Sequence, residues 1–288
     1  MEQPTENAES GQARPVKVVC VTSGKGGVGK TNTSVNLALA AAKRGRKVML
    51  LDADLGLANV CVLLGLDARH NLAHVMDGKK PLPEVIVEGP MGLRIVPGSS
   101  GIRRMAELSA PERAGMIAAF GSLTPQPDLL FVDSASGISD TVLSFARAST
   151  EVVVVLCDEP TALTDAYAVV KVLSREYGVR RFQVVANRTL EPAQGRTLFS
   201  KLATVCDRFL DVALGYLGSV PDDPCVARSV QMQRAVLDAF PSSKSAVAFR
   251  RIAEQLERTP MPVSTTGHLQ FFLEQSLGSP LVQGAVNG

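Results

Sequence analysis

The 288-residue chain has no tryptophan, only three tyrosines, and no apolar run approaching the roughly 18 residues that a membrane-spanning helix needs. Residues 1–15 are polar and acidic without an apolar stretch, so no secretory leader is expected and the location is read as cytoplasmic. Five cysteines (Cys20, Cys61, Cys157, Cys206 and Cys225) include no C-x-x-C pair. Their odd number and strand-like settings suit small buried hydrophobes in a reducing compartment, not disulfides or metal ligands. Tyr167, Tyr177 and Tyr216 are dispersed, which excludes a terminal tyrosine cluster. Charge of one sign is also missing. Thirty basic residues face 28 acidic ones, and the only basic pairs are short, such as Arg103-Arg104, Arg180-Arg181 and Arg250-Arg251. Non-specific DNA binding usually needs a basic patch covering several phosphates, so composition gives no push toward nucleic acid, and no direct sequence-specific DNA binding is expected.

What is present is a hydrophobic content of 45%, enough for a core on both faces of a sheet. Short β-rich runs alternate with helical patterns. The runs are 16–22, 47–54, 93–97, 129–133, 152–158, 182–187 and 212–220; the helical stretches are 30–44, 59–66, 111–120, 140–148, 162–177, 194–209 and 243–257. Strands reading Val152-Val153-Val154-Val155-Leu156 are apolar on both faces and belong in a covered parallel sheet. The expected fold class is α/β, a single doubly wound, mostly parallel sheet with helices on both faces. Residues 1–15 read as a disordered tail, 16–259 as one domain, and 260–288 as a C-terminal tail after the break at Pro260 and Pro262. In that tail a short amphipathic helix is expected at about 268–277, with Leu269, Phe272, Leu273 and Leu277 on one face and Phe271 opposite.

The most informative stretch is Gly24-Lys25-Gly26-Gly27-Val28-Gly29-Lys30-Thr31, between an apolar run and a helical pattern. A strand, a glycine-rich loop and a helix start are the setting of a phosphate-binding loop. Glycines let backbone N–H groups turn inward around phosphates, and the helix N-terminus adds a favourable dipole. Lys30 would reach the β- and γ-phosphates and the Thr31 hydroxyl would take Mg²⁺. Further along, Asp52-Ala53-Asp54 closes a strand, where two carboxylates at i and i+2 can share the ligand crevice; two solvated loop acids are the plainer alternative. Leu129-Leu130-Phe131-Val132-Asp133 is an apolar strand ending in a carboxylate, so Asp133 would hold Mg²⁺ directly or through water, and Gly137 would let the backbone follow the γ-phosphate. Asn187, closing Val184-Val185-Ala186, can both donate to and accept from a base edge; a helix-capping or turn asparagine is the alternative, which weighs more for Asp223.

Lys25 is one lysine more than a phosphate loop requires. With it, Lys25–Thr31 resembles the deviant Walker A motif of the MinD/ParA ATPases, and the similarity extends over nearly all of 17–257. The resemblance implies ATP and Mg²⁺ as cofactors and contacts to the nucleotide from Gly24, Lys25, Gly26, Gly27, Val28, Gly29, Lys30, Thr31 and Asn32. It implies that Lys25 crosses a dimer interface to the partner's nucleotide, that Asp54 positions the attacking water, and that Asp52 sits near the Mg²⁺ shell. Catalysis would then rest on Lys25, Lys30 and Asp54, and the metal on Thr31, Asp52 and Asp133. Asn187 and Arg188 would meet adenine, with Gly218–Asp223, including Pro221, as the other wall.

Among branches, Met49–Val60, Arg94–Gly98, Cys157–Thr161 and Asp207–Leu214 resemble the flagellar-number regulators, FlhG or FleN. That implies an ATP-bound homodimer, slow hydrolysis, and restraint of the sigma-54-dependent flagellar master regulator. A signal-recognition-type GTPase and a flagellar C-ring protein are implied as further partners, at the cell pole or inner membrane. Leu269–Leu277 carries no Lys or Arg, which favours docking on protein over an anionic membrane. Two departures stand out. Cys61 replaces the family's usual Asp, which touches switch coupling, and residues 1–15 lack the Asp-Gln-Ala-x-x-Leu-Arg segment through which relatives activate the GTPase. The alternative is a ParA-like partitioning ATPase on DNA or membrane.

Overall fold

The computed structural model describes residues 15–99, 108–261 and 271. Eight strands form one sheet: β1 (Lys17–Ser23), β2 (Val48–Ala53), β3 (Val87–Glu88), β4 (Arg94–Val96), β5 (Leu129–Ser136), β6 (Glu151–Leu156), β7 (Arg181–Thr189) and β8 (Ala213–Pro221). Their order is β3-β4-β2-β5-β1-β6-β7-β8, all parallel except the β3–β4 pair. The helices are α1 (Lys30–Lys43), α2 (Val60–Leu63), α3 (Leu72–Met76), α4 (Leu82–Val85), α5 (Ala110–Ala119), α6 (Asp140–Ala148), α7 (Pro160–Tyr177), α8 (Pro192–Phe209), α9 (Pro224–Gln231), α10 (Val236–Ala239) and α11 (Lys244–Arg258).

Strand alternation splits the core into two layers. Val18 and Cys20 of β1 join the side chains of α5, α6, α7 and α8, such as Phe145, Val169 and Leu202, on one face. Val19 and Val21 point the other way, onto α1 and α11, against Leu37, Phe249 and Ile252. Because both faces are covered, β1, β2 and β6 are buried at every position, and each large apolar side chain contributes about 1.5–3 kcal/mol.

The expected sheet is present, with differences at its margins. The helix expected at 59–66 stops at Leu63, where the chain turns through Gly65 at φ +62°. β3, too short for any periodic signal, adds an antiparallel edge. β5 continues three residues past Asp133, because the Ser134 hydroxyl donates to the Val21 carbonyl (3.1 Å) and Ser136 pairs with Ser23. Both tail expectations lie outside the described residues, apart from residues 15, 260, 261 and 271. Phe271, expected opposite the apolar stripe, is buried between Phe120 and Phe145, with ring centroids 5.3 and 6.2 Å away. Among the described residues no helix is long and apolar enough to cross a membrane.

Candidate active site

The loop from β1 to α1 depends on backbone that only glycine adopts cheaply. Gly27 and Gly29 have φ of +83° and +86°, and Gly29 is the residue from which α1 departs. A side chain at either would cost about 1–2 kcal/mol. At Gly29 a Cβ would also stand 2.3 Å from the Asn187 amide nitrogen. That nitrogen donates to the Val28 carbonyl at 2.7 Å, so Asn187 fastens the loop to the end of β7. Gly24 serves another need: a Cβ there would lie 2.2 Å from the Asp165 backbone, so the loop packs directly on α7.

Parallel pairing then gathers the acids. The β2–β5 register sets Asp52 opposite Asp133 at the carboxyl ends of adjacent strands. Lys30 is buried with its ammonium 3.0 Å from Asp133 Oδ1, and the Ser34 hydroxyl, one helical turn on, donates to the same oxygen at 2.8 Å. Asp133 Oδ2 is buried with no partner among the described residues. Asp52 accepts from the backbone N–H of Val60 (2.9 Å) and of Asp54 (3.3 Å). Burial, and next the charge of Asp133, push its carboxyl up to about 7 against those hydrogen bonds and Lys30. A divalent cation fits here, since it would satisfy the orphaned Asp133 oxygen and relieve two crowded carboxylates. Thr31, on the first turn of α1, is half-buried. Asp54 is half-buried at the strand end, where its Oδ1 accepts from Leu57 N–H at 3.3 Å. Gly137, at φ +89°, closes the turn after β5 by donating its N–H to the Ser23 carbonyl at 2.8 Å.

Beside the loop lies a cavity of about 440 Å³. Gly27, Gly29, Asn32, Asn187, Arg188, Pro221 and Asp223 line it, together with the apolar side chains of Val226, Val230 and Phe249. Asn32 Oδ1 is buried there without a partner among the described residues, and Arg188 is held at φ +55°. Asp223 lines the cavity, but its carboxylate is committed to capping. One oxygen accepts from Cys225 N–H (2.9 Å) and the other from the N–H (3.0 Å) and hydroxyl (2.9 Å) of Ser245. Burial opposes its charge, yet these donors hold the carboxyl below its usual range.

Lys25 is half-exposed and turned toward the start of α7. Its ammonium is 2.5 Å from Glu159 Oε2, and the other oxygen of Glu159 is 3.9 Å from Arg188. Cys61 lies half-buried on α2, where burial, and then the charge of Asp52, push its thiol up to about 11. Sequence reasoning missed Ser34, although its i+4 spacing from Lys30 put both on one helix face. It also missed the wall from α9, which is too short for a periodic signal. Among the described residues no three of His, Cys, Asp and Glu gather into a metal-binding group.

Comparison with known proteins agrees with this geometry. The ParA family model, described as NUBPL iron-transfer P-loop NTPase, matches residues 15–257. Antiactivator FleN of Pseudomonas aeruginosa is 53% identical over 278 residues, covering 96% of this chain and 99% of that one. Flagellum site-determining protein YlxH of Helicobacter pylori is 33% identical, over 89% and 88% of the two chains. The septum site-determining protein MinD of Pyrococcus horikoshii, solved with Mg-ADP, superposes with a TM-score of 0.70 at 26% identity, over 85% of this chain and 97% of that one.

Proposed function

Because the chain belongs to the ParA/MinD family of P-loop NTPases, we propose that it is an ATP-dependent dimerising switch that regulates flagellar number. The observation that carries this reading is the similarity to antiactivator FleN along 96% of the chain. In it, residues 16–259 are the ATPase unit and 260–288 its tail. The ATP-bound dimer binds and restrains the sigma-54-dependent flagellar master regulator, with a polar signal-recognition-type GTPase and a C-ring protein as further partners.

The chemistry follows from the residues gathered at the carboxyl end of the sheet. Backbone N–H groups of Gly26–Thr31 and the Lys30 ammonium hold the phosphates, and Lys30 exchanges part of its contact with Asp133 for a phosphoryl oxygen. Thr31, Asp133 and Asp52 would hold Mg²⁺, directly or through water, and the ion would neutralise charge on the phosphate oxygens. Asp54 orients the attacking water, and Lys25 from the partner stabilises charge on the transferring group. Asn187 reads the base, with Arg188, Pro221 and Asp223 shaping its cavity. Loss of the γ-phosphate contacts loosens both turns after β2 and β5, and the dimer opens.

Light scattering on the Asp54→Ala protein tests the switch. The expected result is one chain with ADP and two with ATP and Mg²⁺. A mass that ignores the nucleotide would discard the dimer mechanism, and an Asp54→Ala protein that hydrolyses at the parent rate would remove Asp54 from its role.

A further inference from the structure

Lys25 stands next to a loop built to hold phosphates, and a free ammonium there would fold back onto the chain's own nucleotide. Its neighbours bias it the other way. The ammonium is drawn away by Glu159, the residue preceding Pro160 at the start of α7, at 2.5 Å. Glu159 sits at the helix N-cap, where a carboxylate is stabilised by the helix dipole, yet its side chain makes no capping hydrogen bond. It is turned to Lys25 on one oxygen and toward Arg188, 3.9 Å away, on the other. The Lys25 stem is fixed from its backbone side too, since the Ser23 hydroxyl donates to the Lys25 carbonyl at 2.9 Å. The close packing of Gly24 on the Asp165 backbone sets the loop against the same helix that carries Glu159.

We propose that Glu159 is a positioning residue for Lys25: it holds the ammonium outward, off its own phosphate loop, where a second copy of the chain can present its nucleotide. Arg188 lines the base cavity, so Glu159 also joins that cavity to the lysine. The inference rests on the reading that Lys25 acts across a dimer. Lys25 and Glu159 are 40% and 38% exposed, so the pair is a weak bias rather than a lock, worth about a two- to fivefold change in an equilibrium.

The test is the ATP concentration that half-converts the Asp54→Ala protein to dimer, read by light scattering with Mg²⁺ in excess. Adding Glu159→Gln is expected to raise that midpoint about two- to fivefold, with ADP binding to the monomer unchanged or tighter and thermal unfolding unchanged. Glu159→Asp, which keeps the charge on a shorter stem, is expected to fall between the two. A midpoint unchanged or lowered by Glu159→Gln would overturn the proposal, as would a Glu159→Asp midpoint no nearer the parent. Lys25→Ala in the same background separates this from the underlying reading. If Lys25→Ala dimerises as the parent does, Lys25 does not act across the interface. If it loses the ATP-bound dimer while Glu159→Gln has no effect, only the role of Glu159 falls.

Discussion

Lys17 opens β1 and Lys30 opens α1, at the two ends of the segment formed by β1 and the glycine loop, and each is only 8% exposed. Their surroundings differ. Lys17 donates to the carbonyls of Leu256 (2.5 Å) and Thr259 (2.9 Å) and to the Thr259 hydroxyl (2.5 Å), which uses all three donors of an ammonium. Around it Thr259 donates to Glu151 (3.0 Å), and Gln183 donates to the other Glu151 oxygen (3.1 Å). This closed network ties the end of α11 to the amino-terminal edge of the sheet. Lys30, at the carboxyl-terminal edge, is paired with Asp133, which it shares with Ser34, while a second Asp133 oxygen is buried without a partner among the described residues. A buried ion whose hydrogen-bonding capacity is filled by the fold is structural. One left with spare capacity on both partners is arranged for something that arrives later.

The comparison breaks most sharply if the two lysines are exchanged in effect. Lys30→Gln is expected to lower nucleotide affinity at least about 100-fold, a loss of charge-assisted contacts, and also to lower stability because buried Asp133 loses its cation. Lys17→Met is expected to separate the two effects: about 3 kcal/mol lost in urea unfolding, because Glu151 and the helix-end carbonyls stay buried without their cation, but nucleotide affinity unchanged. If Lys17→Met weakened nucleotide binding tenfold at equal foldedness, the two poles would not be independent.

A smaller effect tests the open pole by pH. The Asp52 carboxyl is raised to about 7 in the fold from the ordinary 3.8, so between these values the folded chain holds a proton that the unfolded chain has released. Stability of the protein in chelator should therefore fall as pH rises from about 4 to about 7, by at most ~1.4 kcal/mol per unit for this one group. Asp52→Asn should flatten that slope in a comparison of urea midpoints. The smallest effect sharpens the closed pole. Thr259→Val removes one hydroxyl from the network and is expected to cost about 1 kcal/mol in the same assay, with ATP titration unchanged.

Legibility in the sequence followed the range of the interaction that carries the signal. The phosphate loop, the apolar strands and the Asp ending β5 could be read because each is a contiguous pattern with a fixed backbone meaning. The helix-capping alternative for Asp223 could be named from residue type, but only the contact with Ser245, 22 residues away, shows where the carboxylate is committed. Ser34 was within reach through its spacing from Lys30. Glu159 was not, because it lies 134 residues from Lys25 and no local pattern links them.

The amino-acid order by itself determined the alternation of strands and helices, the two-sided burial of the sheet and the place of the glycine loop, since propensity, periodicity and glycine backbone freedom act over a few residues. Tertiary structure alone decided the pairing of Asp52 with Asp133, the turning of Lys25 to Glu159 and the contrast between Lys17 and Lys30. Those depend on strand order and on which distant groups a buried charge finds, and an ion inside a folded chain takes its meaning from the partners packing brings to it.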